Sequence, residues 1–528
     1  MRLLDLYPLR GAYKPGEAIS LEVTVEATRV EQGELRLTCY HLNHVEQTFK
    51  IPIKAQAGQH TLPITFNLTS NMTRGYGLEA ELVDQQGQVT GRAATAFDVL
   101  ESWLTFPRYG FLTDFEAHRS TAEASAWLAR FHINGLQFYD WHYRHDHHVP
   151  PEDEYVDPLG RALSLETVRE MINHAHGHGI AAMAYMAVYA ASLPFAEQHR
   201  DWRLYDEHNQ PINFEDFLGL MDPSANGAWV DHLIGECERT LNELPFDGLH
   251  VDQYGDPKEG FNLQGEPVDL PSAFQDFIRL LKDRFPEKSV TFNAVGNWPI
   301  EALAVAPQDF VYIEIWPPTP TYQDIYDVVR GARLKSTGKP VVVALYILVE
   351  HAANIRLADA LIFASGGSRI ELGEQGRLLT DPYFPNHQAL TQDLNAVLRR
   401  YYDFAVRYGD LIGPSAAEIV IEELSEPDSI WFIPRRFGNW MALHLINFTG
   451  LEGAKWCERH RAPESLQELS ISIPITDGIR EVWWASPDGA QMALTPAPWD
   501  AEDGRIQVTI PSLDFWTMIV FEMGDDEA

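Results

Sequence analysis

Three blocks of hydrophobic periodicity predict a multidomain α/β fold, a (β/α)8 TIM barrel flanked by two β domains. Short alternating runs fill the first hundred residues, a strand, loop and helix rhythm repeats from Ser102, and alternation returns after about residue 415. The 528-residue chain has room for this plan, since a full barrel takes about 250 residues.

In the first block, EAISLEVTVEA, GELRLTCYHL, HTLPITFNL and GLEAELVD alternate apolar and polar residues between turn signals such as KPGE and DQQGQ. That pattern predicts a small β-sandwich over residues 1–101. The second block, 102–414, carries eight predicted strands at 104–111, 135–141, 181–189, 248–254, 290–296, 310–316, 340–346 and 368–374. Between them lie helical stretches with apolar residues three and four apart, among them TAEASAWLARFH, LSLETVREMINHAHGHG and AFQDFIRLLKDRF. The HAHGHG run reads as a helix C-terminus closed by glycine. After LNAVLRRYYDFAVRYGDLI, seven further β runs from EIVIEEL to FWTMIVFEM place a second β domain at 415–528.

Composition narrows the function classes. Forty basic against 76 acidic side chains give a formal charge of −36, which repels nucleic acid and anionic membrane surfaces and is indifferent to a neutral polymer such as a polysaccharide. No apolar run reaches the length of about 18 residues that a membrane helix needs. The N-terminal MRLLDLYPLRGAYKPGE, interrupted by Asp5 and Pro8, lacks a secretory apolar core, so the expectation is a cytoplasmic protein, or a secreted one if a leader has been trimmed. Cys39, Cys237 and Cys457 are far apart and odd in number, which indicates neither a disulfide framework nor a zinc ribbon. The sequons at Asn67, Asn71 and Asn447 are short patterns that arise often by chance.

The chemistry concentrates at two strand ends. FDGLHVDQYGDP runs an apolar strand into Asp252, and FVYIEIWPP does the same around Glu314. Strand C-termini of such a barrel face one crevice, so both carboxylates point into it, the minimum equipment for cleaving a glycosidic bond. The nucleophile must stay ionised and the acid must hold a proton near neutrality. Ile313, Ile315 and Trp316 give Glu314 apolar cover while polar Gln253 follows Asp252, which assigns Asp252 as nucleophile and Glu314 as acid and then base. From spacing alone, a structural role in salt bridges explains the pair equally well.

The motifs QFYDWHYRH (137–145), AMAYMAVYAA (182–191), FDGLHVDQYGD (246–256), VYIEIWP (311–317) and SGGSRIELGE (365–374), in this order, resemble the signatures of glycoside hydrolase family 66. The family contains dextranases and cycloisomaltooligosaccharide glucanotransferases, and the resemblance is greater to a dextranase. It implies an N-terminal immunoglobulin-like β-sandwich, a catalytic barrel and a C-terminal Greek-key β domain. It also implies retaining cleavage of α-1,6-glucan, that is dextran or isomaltooligosaccharides, with Asp252 as nucleophile, Glu314 as acid/base and no cofactor. Asp140 of the YDW motif matches the family's aspartate that binds sugar hydroxyls beside the scissile bond, and Trp141 belongs to the same motif. Tyr143 falls where the family often has an aromatic against the sugar. His142 and Arg369 depart from the family pattern. The cyclising members carry an extra carbohydrate-binding module late in the barrel, for which residues 347–367 here are too few, so hydrolysis is expected over cyclisation. A non-catalytic carbohydrate-binding barrel is the alternative from another class.

Aromatic residues gather at the same strand ends. Tyr185, Tyr189, Tyr254, Trp298, Trp316 and Tyr346 offer flat faces to pyranose rings, whereas Tyr312, alternating along its strand, belongs to the core. Glu371 either binds substrate or closes a salt bridge, and Gly366 and Gly367 before it, which allow close backbone approach, favour binding. His142, His145, His147 and His148 lie close in sequence, but adjacency alone does not make ligands converge. A solvated loop with His145 near the sugar is the expectation, with no metal in catalysis.

Overall fold

The structure is a computed structural model that describes all residues except 71, 317–318, 423, 425–428, 475–477, 490–491, 503 and 525–528. Asn71, the middle sequon, therefore lies outside the described residues.

At the N-terminus, period-two alternation builds two packed antiparallel sheets. Arg2–Pro8, Ile19–Ala27 and Gly58–Phe66 form one, and Glu31–His41, His44–Ala55, Arg74–Asp84 and Val89–Val99 form the other. Leu21, Val23 and Val25 of the second strand are fully buried while Glu26 of the same strand is exposed. The quoted runs signal four of these seven strands and pass over Arg2–Pro8, His44–Ala55 and Val89–Val99.

The central part contains eight parallel strands in chain order: β1 (Tyr109–Leu112), β2 (Gly135–Phe138), β3 (Ala181–Ala187), β4 (Gly248–Asp252), β5 (Ser289–Val295), β6 (Val311–Glu314), β7 (Val341–Ala344) and β8 (Gly367–Ile370). Each pairs in parallel with the next. Past Glu371 the chain continues as Leu372–Gly373, where Gly373 pairs in parallel with Phe111 of β1. The sheet thus curls until its end meets its beginning. A Cβ on Gly373 would lie 2.5 Å from the Phe111 ring, so a residue without a side chain is required at this seam. With the short strands Arg377–Leu378 and Gln388–Ala389 the sheet counts eleven strands.

Three expected strands are corrected. The first begins only at Tyr109, because Trp103–Thr105 is a 3-10 turn and Pro107 has no N–H for a ladder. The second stops at Phe138, two residues before Asp140 turns to a φ of 49°. The last is broken at Glu371.

Helices cover the outer face, and their ends follow capping chemistry. In Leu165–Gly177, the Ser164 side chain accepts from Thr167 N, and Val168, Met171, Ile172 and Ala175 are buried at helical spacing. Tyr322–Lys335 starts with a reciprocal Thr321–Asp324 capping box. On the concave face, Tyr109 of β1 stacks 5.8 Å from His250 of β4 and meets Tyr312 of β6 edge-on at 6.2 Å. Rings from strands that are not neighbours touch, so this interior is filled.

The C-terminal residues form a six-stranded and a three-stranded sheet around an aliphatic core in which Leu443, Leu445, Ile506, Val508 and Ile519 are fully buried. Buried polar links join the parts. Arg108 pairs with Asp98 at 2.8 Å and donates to the Gly11 carbonyl, while Asp488 receives Arg356 and Tyr401 at 2.7 Å each. Breaking such a buried pair from one side costs about 3–5 kcal/mol. Among the described residues, no helix is long and apolar enough to cross a membrane.

Candidate active site

Period-two geometry assembles the site. Met183 and Tyr185, His250 and Asp252, Thr291 and Asn293, Tyr312 and Glu314 are each two apart on their strands, so the first of each pair packs the interior and the second emerges above it. Asp252 is the last residue of β4 and Glu314 the last of β6. Between them on β5 stands Asn293, whose Nδ2 donates to Asp252 Oδ1 at 2.8 Å and to Glu314 Oε2 at 2.9 Å. Those two bonds hold the carboxylate oxygens within 5.7 Å of each other, the combined bond length. The remaining oxygens are held from the flanks: Tyr185 Oη donates to Asp252 Oδ2 at 2.8 Å, and Tyr346 Oη to Glu314 Oε1 at 2.5 Å.

Both acids are hard to ionise here. Burial, and then the neighbouring Glu314 charge, push the Asp252 carboxyl up to about 7 against the donors Tyr185 and Asn293. Burial raises Glu314 against Tyr346 and Asn293. The contrast between a polar and an apolar setting expected from the flanking residues is therefore weak. What distinguishes the site is that one amide bridges two carboxyls, which then titrate as a pair.

A cavity of about 700 Å³ opens over this pair. Its walls are aromatic: Tyr139 stacks on Phe384 at 4.4 Å, and Tyr254 on Phe214 at 4.1 Å. Gln137 Oε1, Asn293 Oδ1 and Tyr254 Oη are buried along it with no protein partner. Buried polar atoms are normally satisfied, so this set is suited to a ligand that carries many hydroxyls between apolar ring faces.

Residues 10–520 match the model of the family described as Glycosyl hydrolase family 66. The chain belongs to glycosyl hydrolase family 66. Among curated proteins it is similar to a cycloisomaltooligosaccharide glucanotransferase of Niallia circulans, at 23% identity over 97% of this chain and 72% of that protein. It is also similar to a dextranase of Streptococcus salivarius, at 21% identity over 92% of this chain and 72% of that one. Among solved structures, a Paenibacillus sp. cycloisomaltooligosaccharide glucanotransferase complexed with cycloisomaltoheptaose superposes with a TM-score of 0.90, at 21% identity, covering 98% of this chain and 99% of that one.

In this family member the other residues singled out from sequence divide into two groups. Asp140, His145, Tyr185, Tyr254, Trp316 and Tyr346 line the cavity. Asp140 lies beside Arg161, and burial pushes its carboxyl up to about 7. Tyr312, assigned to the core, is 2% exposed and forms the cavity floor. Trp141, Tyr143, Tyr189, Trp298 and Glu371 lie outside the lining of this cavity. Trp141 follows the end of β2 and is fully buried, with Nε1 donating to the Tyr185 carbonyl. Tyr143 packs under the Arg144 guanidinium at 4.0 Å. Tyr189 receives the Tyr254 backbone N–H, and Trp298 leans on Phe274.

Glu371, at the break in β8, is fully buried and takes Arg369 Nη1 and Tyr402 Oη, so the salt-bridge alternative describes it. The histidines are corrected in part. Donor atoms of His142 and His145 converge with Asp140, whereas His147 pairs with Glu236 and His148 with Thr240. Sequence reasoning missed Asn293, although its position in VTFNAVG, between the two acid strands, was a usable signal. It also missed Phe214, from the two-residue strand Asn213–Phe214, and Glu215 and Tyr383, which reach the cavity from loops, segments too short or irregular to leave a periodic trace.

Proposed function

We propose that this chain is a dextranase that hydrolyses α-1,6-glucosidic linkages of dextran and isomaltooligosaccharides with retention of configuration. The observation that carries the reading is the Asn293 bridge, which keeps the acid oxygens within 5.7 Å. Double displacement uses carboxyls about 5–5.5 Å apart, whereas inversion needs about 6.5–9.5 Å to seat a water. In the first step Asp252 attacks the anomeric carbon while Glu314 gives its proton to the glycosidic oxygen, whose bond to that carbon breaks. In the second, Glu314 takes a proton from water, and the water oxygen displaces Asp252. Tyr185, Tyr346 and Asn293 hold the two acids in register, and Asp140 and His145 take hydroxyls of the sugar being cleaved.

The same reading treats the curled sheet as a (β/α)8 barrel of residues 102–414, between an immunoglobulin-like sandwich at 1–101 and a Greek-key β domain at 415–528. It places Asp252 and Glu314 at the catalytic end of that barrel.

The second reading is a cyclising transferase, favoured by the similarity to glucanotransferases. Against it, the segment between β7 and β8 holds only the helix Ala352–Ala364. The alignment to the Niallia protein runs over 698 residues, more than this whole chain, so that relative carries inserted sequence absent here. Mass spectrometry of products from dextran separates the two readings. Linear isomaltooligosaccharides are expected, each heavier by one water than the ring of the same size, and a series of rings would overturn hydrolysis.

Glu314→Ala tests the roles of the acids. It should lose dextran cleavage severely yet retain the first step on an aryl isomaltoside with a good leaving group. Added azide should then restore turnover and give the α-glycosyl azide. Equal loss on both substrates without azide rescue would make Glu314 structural.

A further inference from the structure

The geometry points to a second ligand for the catalytic cavity: a divalent transition cation of the zinc type, held by Asp140, His142 and His145. One donor atom from each lies within 4.8 Å of the other two. Four-coordinate zinc with bonds of about 2.0–2.1 Å sets its donors about 3.3 Å apart, so modest side-chain rotation closes the set. The independent observation is the state of the imidazoles. His142 is 1% exposed with neither ring nitrogen partnered, and His145 is 6% exposed with Nδ1 unpartnered. Their rings meet edge-on at 4.5 Å.

Two imidazoles and one carboxylate suit zinc and its transition neighbours rather than magnesium or calcium, which prefer oxygen alone. Three protein ligands leave a fourth position open, and two of them, Asp140 and His145, line the cavity, so that position faces it. The cation therefore occupies the carboxylate that the functional reading gives to sugar hydroxyls. Metal and sugar exclude one another, and the metal acts as a competitive brake with no part in bond cleavage. The competition rests on the dextranase reading, whereas cation binding does not.

The test is calorimetric titration of the full-length, chelator-treated protein with zinc chloride. One equivalent is expected to bind, magnesium should give no heat, and His142→Gln should weaken binding about tenfold or more. Replacing the exposed His208 (His208→Gln) should leave binding within about twofold, because that side chain is 77% exposed and is not one of the three ligands. No saturable zinc binding by the folded protein, or binding unchanged in His142→Gln, overturns the site. Should His142→Gln fail to fold, X-ray absorption at the zinc edge of the loaded wild-type protein decides, with two imidazoles per zinc expected and fewer than two refuting. Zinc that binds as described but leaves dextran cleavage untouched would uphold the site and count against the cavity as the place of cleavage.

Discussion

Asp252→Asn should trade activity for stability, with a sign that depends on pH. The folded protein lifts this carboxyl from an ordinary 3.8 to about 7, so the fold binds the proton more tightly than the unfolded chain does. Stability from the bound proton is fully present below about pH 4 and is lost as pH rises through 7. At pH 8 the wild-type protein must hold a buried carboxylate beside Glu314, and the amide need not. The rise sets a ceiling of about 4 kcal/mol, and water at the open edge of the cavity lowers the expected gain to about 1–3 kcal/mol. The amide also fits its neighbours: its oxygen can accept from Asn293 Nδ2, while its nitrogen donates to Tyr185 Oη, which switches from donor to acceptor. Thermal melts of both proteins at pH 4.5 and pH 8 read the difference. The variant should melt higher at pH 8 and no higher than wild type at pH 4.5, while dextran turnover falls more than about 10³-fold because an amide cannot form the glycosyl ester. Equal melting temperatures at pH 8, or activity within tenfold of wild type, would refute the reasoning.

Asn293→Ala removes a donor from both acids, and a hydrogen bond to a charged group is worth about 1.5–3 kcal/mol. The acid limb of kcat/KM against pH should therefore move up by about one pH unit or more, and a limb that stays in place would deny Asn293 its bridging role. Asp140→Ala should lower kcat for isomaltooligosaccharides rather than only raise KM, because hydroxyl contacts beside the scissile bond tighten as the ring distorts. A rise in KM alone would move Asp140 to a distant subsite. Arg369→Ala strands Asp359 and Glu371 in the interior and should destabilise the protein by about 3–5 kcal/mol in denaturant melts, with KM of the folded fraction unchanged. A raised KM would return Glu371 to the substrate.

The position of Asp252 and Glu314 at strand ends was legible because strand alternation is local. Four strand residues ahead of Asp252, and three ahead of Glu314, suffice to place a carboxylate at a strand end. The same rule failed for Trp141, since β2 ends at Phe138 and alternation does not reach that far. Tyr139, two residues beyond the inward-facing Gln137, stacks on Phe384 at the cavity wall, as alternation extended by one step would have it. Glu371 failed for a related reason: the break in β8 turns it toward Tyr402 on the helix Gln392–Arg407 and away from the cavity. Phe214 and Tyr383 reach the cavity over Asp252 and Glu314 only through long-range packing, which no sequence window contains. The approach of His142 and His145 to Asp140 depends on the left-handed turn at Asp140, with its φ of 49°, and a lone aspartate in sequence does not announce that conformation.

The central claim, that Asp252 and Glu314 perform a double displacement, is tested most directly by the configuration of the newly formed reducing end. Proton NMR of isomaltooligosaccharide cleavage, recorded before mutarotation equilibrates the product, should show the α-anomer signal growing first and the β-anomer signal following. A first-formed β anomer would require a single displacement by water, and two acids held within 5.7 Å by Asn293 would then not be the catalytic pair.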